Sequence, residues 1–116
     1  MKYPPFVLAD GGDSGSLRIA FCALEDLDWF RGHFPGRGIL PGVALVGFVL
    51  RCAGEFLGRG PGEGPYELVR CKFQRMIFPG TRLLLELRSP PGEGILDFAV
   101  TGEADGLDYA SGRIRW

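Results

Sequence analysis

The stretch VALVGFVLRCAGEFL, residues 43–57, is apolar or small at every position except for one basic and one acidic residue. Its apolar side chains continue almost all round a helical wheel, and Gly58 follows it as a typical helix-ending residue. We therefore predict a helix over residues 43–57, about 22 Å long. A helix this apolar must be covered on most of its sides, so we expect it to form the centre of the core.

Segments with alternating side chains flank this helix and predict strands. Before the helix, residues 17–24 alternate, with Leu17, Ile19 and Phe21 on one face. Four more strand-like segments follow the helix and are separated by turn residues. These segments are residues 66–78, with Val69, Cys71 and Phe73 on one face, and residues 82–88, 95–101 and 107–116.

The order of these elements predicts an α+β fold in a single domain, residues 1–116, with an antiparallel sheet curled around the helix. Residues 1–16 are expected to form an N-terminal loop region. The Gly-rich residues 58–65 are expected to form a linker between the helix and a β-meander over residues 66–116.

The charges of the chain argue against a nucleic-acid partner. Thirteen Lys and Arg oppose fourteen Asp and Glu, giving a net charge of -1, and no basic stripe is available to neutralise phosphates. The longest apolar stretch, residues 40–57, contains Arg51 and Glu55. It is therefore interpreted as a core helix, and we expect no membrane span.

The three cysteines, Cys22, Cys52 and Cys71, are widely spaced among apolar neighbours. This pattern favours reduced core thiols over a disulfide framework or a metal site. Residues 1–5 also lack the apolar run of a signal peptide. We expect a cytoplasmic protein.

The chemistry-bearing segment contains the only histidine of the chain, His33, in a loop of Gly and Pro residues nine positions before Gly42. Histidine accepts protons near neutral pH. At the helix start, Gly42 has an N–H without an intrahelical partner, at the positive end of the helix dipole. A base and an oxyanion donor in one site suit abstraction of a proton α to a thioester carbonyl.

Residues 32–43, Gly-His-Phe-Pro-Gly-Arg-Gly-Ile-Leu-Pro-Gly-Val, closely resemble the His-Phe-Pro motif of the hotdog-fold 3-hydroxyacyl-ACP dehydratases. That family's pattern runs Gly-His-Phe-Pro-Gly-x-Pro-x-x-Pro-Gly-Val before a central helix. Residues 72–83 are similar to the family's strand that ends in Pro-Gly-Asp, and Tyr3-Pro4 is similar to its N-terminal Tyr-Pro-Phe. The resemblance spans nearly the whole chain.

The resemblance implies a hotdog fold, in which a curved antiparallel sheet wraps a long central helix and two chains form a homodimer with acyl tunnels at their interface. It implies removal of water from a 3-hydroxyacyl thioester to give a trans-2-enoyl thioester. The substrate would be carried on the phosphopantetheine of acyl carrier protein (ACP) or on CoA. No other cofactor and no metal are implied.

The resemblance also implies residue roles. His33 would take the α-proton, the backbone carbonyl of Ile39 would orient the imidazole, and the Gly42 N–H would hold the thioester oxygen. Phe34 and Pro35 would contact the substrate.

The chain departs from the family where a dehydratase keeps its acid. That acid comes from the partner subunit's helix, fourteen positions after the histidine, where this chain has Gly47. Arg51 stands where a Gln is usual, and Gly38 where a Pro is expected. Both Gly47 and Arg51 would line the substrate. Without a proton donor the hydroxyl leaves poorly, because general acid–base catalysis contributes roughly 10²–10⁴-fold.

Three hypotheses follow from this departure. In the first, the protein is a dehydratase that uses another acid, Glu25, Asp26 or Asp28, or a water held by Arg51. In the second, it binds acyl thioesters without efficient turnover, or forms a hetero-oligomer with a second hotdog subunit that supplies the acid. In the third, it is an acyl thioesterase. For Arg51, an ion pair with Glu55, one turn away, is an equal alternative.

Overall fold

The structure is a computed structural model that describes residues 6–10, 15–22, 42–78, 80–90 and 92–116. Helix α1 (Gly42–Cys52) continues into a π-helical turn (Ala53–Leu57). The strands form one antiparallel sheet in the order β1-β2-β4-β5-β6-β3, which confirms the α+β prediction. The strands are β1 (Phe6–Asp10), β2 (Ser16–Cys22), β3 (Glu67–Phe73), β4 (Arg82–Arg88), β5 (Ile95–Gly102) and β6 (Asp108–Arg115).

The side of the sheet that faces the helix is formed by buried rows of side chains. One row runs through Ile19, Leu85, Val100 and Ala110, which lie opposite one another in β2, β4, β5 and β6. All four are at most 2% exposed. Because successive side chains of a strand point to opposite faces, the alternation seen in the sequence places these residues in the core.

Helix α1 and its π-helical turn have a closed side and an open side. On the closed side, the ring of Phe48 packs 4.9 Å from that of Phe21 in β2. The closed side consists of the buried residues Ala44, Leu45, Val46, Phe48, Val49, Cys52 and Ala53. The open side consists of the half-buried Gly47 and the exposed Arg51, Gly54 and Glu55.

The expectation that the helix is covered on most sides is therefore wrong for the part of the chain that the structure describes. The sheet covers only the closed side, and the open side carries two glycines and two charged residues. The predicted range, residues 43–57, is close to the observed helix with its turn. At its end, the predicted helix-ending residue Gly58 has φ 63° and ψ 29°, a left-handed conformation, and its N–H donates to the carbonyl of Ala53.

The N-terminal segment differs from the sequence prediction. A loop was expected over residues 1–16, but residues 6–10 form strand β1 and pair with β2, with Phe6 opposite Phe21 and Val7 opposite Ala20. Only five residues are involved, too few for alternation to stand out. Pairing with a neighbouring strand stabilises a segment whose own sequence predicts little.

Strand β3 contains a bulge that changes which side its residues face. Val69 lies opposite Arg113 and Lys72 opposite Ser111, so Arg70 and Cys71 together face the single residue Gly112. Arg70 has φ 50°, a left-handed conformation that is uncommon for a residue with a side chain. Gly112 fits this arrangement because a Cβ there would lie 2.8 Å from the Cα of Cys71.

The bulge overturns one prediction for β3. Strict alternation placed Val69, Cys71 and Phe73 on one face. Instead, Phe73 lies opposite the buried Ala110 on the helix side, whereas Val69 lies opposite Arg113 in the row that also contains Asp97. One extra residue between Val69 and Phe73 reverses the alternation.

Candidate active site

The N-terminus of α1 is the first component of the candidate site. Gly42 is the first residue of the helix and is half-buried. The first four N–H groups of a helix have no intrahelical partner and lie at the positive end of its dipole, where an anion or a polarised oxygen is stabilised. The structure thus places Gly42 at a helix start, and its role as an oxyanion donor stays a prediction.

The ring of Phe73 lies against Gly42. A Cβ added at Gly42 would be 3.1–3.2 Å from three carbon atoms at the edge of that ring, closer than ordinary van der Waals contact. Gly42 is not among the glycines with positive φ. A methyl group at this position would therefore meet the ring, which would have to shift by a few tenths of an ångström, whereas the backbone conformation does not require glycine.

The end of β3 holds Phe73 in place. Phe73 pairs with Ala110 of β6. The next two N–H groups, those of Gln74 and Arg75, both donate to the carbonyl of Tyr109, at 2.8 and 3.3 Å. These bonds end the strand at Phe73, although alternation predicted a strand up to Phe78.

Sequence reasoning missed Phe73 as a site residue. The sequence placed it only on one face of a strand. Its position within residues 72–83, the second segment that resembles the dehydratases, was the signal that could have identified it.

Gly47 and Arg51, both predicted to line the substrate, lie together on the open side of the helix. Gly47 is five residues from Gly42, about 7.5 Å along the helix axis, and carries no acid. Arg51 Nη2 lies 3.0 Å from Glu55 Oε1, which confirms the ion pair considered for Arg51. A water held by Arg51 stays a prediction.

The other predicted site residues are His33, Phe34, Pro35 and Ile39, and the alternative acids are Glu25, Asp26 and Asp28. All seven lie outside the described residues. Their positions and roles stay predictions from the sequence.

The cysteines differ in burial. Cys52 is 1% exposed, and burial, together with the Glu55 carboxylate, raises the pKa of its thiol to about 12. Such a thiol is protonated at neutral pH and does not act as a nucleophile. Cys22 and Cys71 are half-buried, and Cys71 packs against the core from the bulge of β3.

Two cavities of the described surface lie away from Gly42 and Phe73. One is bordered by Arg18, Arg88 and Asp97 on the outer side of the sheet. The other lies between Gly54 and the Gly-rich segment after the helix, next to Arg59. The candidate site is therefore defined by the start of α1, its open side and Phe73.

A family model described as ApeI-like, ApeI dehydratase, matches residues 10–113. The chain belongs to the ApeI-like dehydratase family. The match includes the histidine motif, the helix and the sheet from β2 onwards, so it confirms the resemblance to dehydratases that the sequence motifs indicated.

Two relatives of this ApeI-like chain carry the name 3-hydroxyacyl-acyl-carrier-protein dehydratase FabZ. The protein from Bacillus pumilus is 32% identical over 114 residues, covering 85% of this chain and 78% of the relative. The one from Agrobacterium fabrum is 35% identical over 89 residues, covering 68% of this chain. The matched region spans only 57% of the Agrobacterium protein's length.

The fold of this family member is shared with solved dehydratases. A chain of the dehydratase heterocomplex ApeI:P from Xenorhabdus doucetiae has a TM-score of 0.84 at 27% identity, with 98% of this chain and 97% of that chain covered. The dehydratase domain of PpsC from Mycobacterium tuberculosis has a TM-score of 0.68 at 17% identity, with 97% of this chain and 41% of that chain covered. These similarities confirm the predicted hotdog fold.

Within the described ranges, neither α1 nor its π-helical turn is long and apolar enough to cross a membrane.

Proposed function

We propose that the chain is a 3-hydroxyacyl thioester dehydratase, which removes water to give a trans-2-enoyl thioester. The family match over residues 10–113 carries this proposal, because it includes both His33 and the helix that starts at Gly42. The names of the FabZ relatives favour ACP over CoA as the substrate carrier. The proposed reaction uses no cofactor other than the phosphopantetheine group of that carrier, which holds the substrate.

In the proposed reaction, the imidazole of His33 takes the proton from C2 of the substrate. Negative charge develops on the thioester oxygen, and the Gly42 N–H stabilises it at the positive end of the helix dipole. The carbonyl of Ile39 accepts a hydrogen bond from the second ring nitrogen, while Phe34 and Pro35 contact the acyl group. As the C2–C3 double bond forms, the C3–O bond breaks and the departing hydroxide takes a proton from an acid.

We propose that this acid comes from a second hotdog subunit. Gly47 carries no side chain to serve as the acid and is half-buried on the open side of the helix. The similar chain from Xenorhabdus is part of an assembly named a dehydratase heterocomplex, which favours a hetero-oligomer over a homodimer. The alternative is an acid of the same chain, Glu25, Asp26 or Asp28.

We also propose a cytoplasmic location. The thiols of Cys22, Cys52 and Cys71 are all unpaired. Free thiols persist in a reducing compartment, which favours the cytoplasm.

The reaction is tested with the purified protein, both alone and with a co-expressed hotdog partner. One assay measures the addition of water to a trans-2-enoyl thioester and the release of free thiol. With the partner present, we expect water addition without thiol release, and a roughly 10²–10⁴-fold loss in His33→Ala. Arg88→Ala is the control, because Arg88 is exposed on the outer side of the sheet. Full activity of His33→Ala would contradict the proposal, and thiol release would identify a thioesterase.

The source of the acid is tested with Gly47→Glu in the isolated chain. We expect this variant to hydrate the enoyl thioester faster than the wild type, because it restores a carboxyl group on the helix. Gly54→Glu is a matched control, since Gly54 lies on the same open side two turns further on. An isolated wild-type chain that is already as active as Gly47→Glu would show that the acid belongs to the same chain.

A further inference from the structure

We propose that Phe73 is a specificity-determining residue, whose ring walls the thioester end of the acyl group and excludes substituents on the carbon next to the carbonyl. The inference rests on the proposed function, because it takes the Gly42 N–H as the group that binds the thioester oxygen. It adds a residue from β3 to a site predicted only from the histidine loop and the helix.

The distance between ring and helix supports this placement. The ring edge of Phe73 lies 3.1–3.2 Å from the Cβ position of Gly42. Since that position and the amide nitrogen are bonded to the same Cα, the ring edge is within about 6 Å of the nitrogen. A carbonyl oxygen that accepts from this N–H lies about 2.9 Å from the nitrogen. The ring edge therefore lies at most about 9 Å from a thioester oxygen bound to this N–H, and we place the carbon next to the carbonyl on the ring side of that oxygen.

The exposure of Phe73 indicates a ring that is available to a ligand. Its side chain points to the helix side of the sheet, where Ala110 opposite it is only 2% exposed, yet Phe73 itself is 48% exposed. One edge of the ring contacts Gly42, and the rest remains accessible in the described structure. Large aromatic side chains supply extensive apolar contact area, which suits acyl carbons.

The backbone fixes the direction in which the Phe73 side chain leaves the strand. Phe73 lies opposite Ala110 on the helix side, and the two hydrogen bonds to the Tyr109 carbonyl anchor the residues that follow it. A site residue on a paired strand is placed more precisely than one on a free loop. The ring of Phe73 therefore occupies a defined place beside the helix start, and a branched substrate must displace it.

The test measures by calorimetry how tightly the assembled protein binds hexanoyl-CoA and 2-methylhexanoyl-CoA. Three forms of the chain are compared, namely the wild type, Phe73→Leu and Phe73→Ala. One methyl group at an apolar site changes affinity by about tenfold or more. We expect the wild type to prefer the straight chain at least tenfold, and Phe73→Ala to reduce this ratio to about one. Leu68→Ala is the control and keeps the ratio, since Leu68 lies on the same strand and is also 48% exposed.

The outcomes separate this inference from the proposed reaction. An unchanged ratio in Phe73→Ala overturns the inference, while enoyl hydration by the wild type leaves the reaction standing. If Phe73→Ala changes the ratio but the wild type hydrates no enoyl thioester, the role of Phe73 is supported and the proposed reaction is rejected. Failure of the wild type to bind either thioester overturns the inference.

The contact itself is tested by thermal unfolding of Gly42→Ala, Phe73→Ala and the double variant. We expect Gly42→Ala to lower the midpoint, because its methyl group meets the ring, and the added Phe73→Ala to recover part of that loss. If the two effects simply add, the ring does not pack against Gly42 and the inference fails.

Discussion

On its closed side, helix α1 packs Leu45, Phe48 and Val49 against the sheet with at most 1% of each exposed. On its open side, Gly47 is half-buried and Arg51, Gly54 and Glu55 are exposed. One helix thus combines two different sides. Its closed side holds the fold together, whereas its open side carries small and charged residues that are only partly buried or exposed.

The largest effect on stability is expected on the closed side, from Phe48→Ala. Phe48 is fully buried and packs on Phe21, so its truncation removes apolar burial and leaves a cavity that costs about 3–5 kcal/mol. Urea unfolding measures the loss. Phe56→Ala is the matched control, because Phe56 belongs to the same helical segment but is 40% exposed. Similar losses in both variants would mean that the closed side is not the core.

The next effect concerns Cys52 and pH. The folded chain holds the pKa of this thiol at about 12, against 9.0 when unfolded. The unfolded state therefore releases the proton first, and the free energy of unfolding falls as the pH rises from 9 towards 12. Urea unfolding between pH 8 and 11 measures this loss, which we expect to be smaller in Cys52→Ala. Equal slopes in the two proteins would place the thiol in contact with water.

A smaller effect, of opposite sign, is expected on the open side from Gly54→Ala. A Cβ at Gly54 meets no atom within 4 Å, and replacing a helical glycine stabilises by about 0.5–1 kcal/mol. Gly58→Ala is the matched control, because it has the same free space but a φ of +63°. In that left-handed conformation, alanine costs about 1–2 kcal/mol. Equal shifts in thermal midpoint would contradict this distinction.

The smallest effect is expected from Glu55→Gln, which removes the charge partner of Arg51. Both side chains of the pair are about half exposed, at 53% and 45%, and exposed pairs of this spacing contribute about 0.3–0.5 kcal/mol. We expect the free energy of unfolding to change by no more than about 0.5 kcal/mol. A loss several times larger would show that the open side also stabilises the fold.

Much of the fold follows from patterns that the sequence carries locally. The apolar run predicted the helix and Gly58 its end, and alternation predicted β4 over residues 82–88. Alternation could not reveal the bulge in β3, because the bulge depends on pairing with β6 and the apolar residues Val69, Cys71 and Phe73 continue the two-residue period across it. For the same reason, β1 was missed, since its stability comes from the neighbouring strand.

The candidate site was predictable only in part. Gly42 was expected at the helix start from its place in the motif, and the structure places it there. Phe73 is 31 residues away, and only the folded chain shows that its ring fills the space beside this glycine. From the sequence, Gly42 was expected only to donate an N–H, whereas the structure shows that a methyl group there would also meet the ring of Phe73.

The bulge in β3 has a consequence for comparing this chain with its relatives. A relative that lacks one residue between Val69 and Lys72 would pair residue for residue along this strand, and its equivalent of Phe73 would still lie opposite the equivalent of Ala110 on the helix side. A single-residue gap in an alignment of this strand thus leaves both faces of the sheet unchanged on either side of the bulge. Insertion or deletion here can therefore be tolerated without removing the aromatic ring from the helix side.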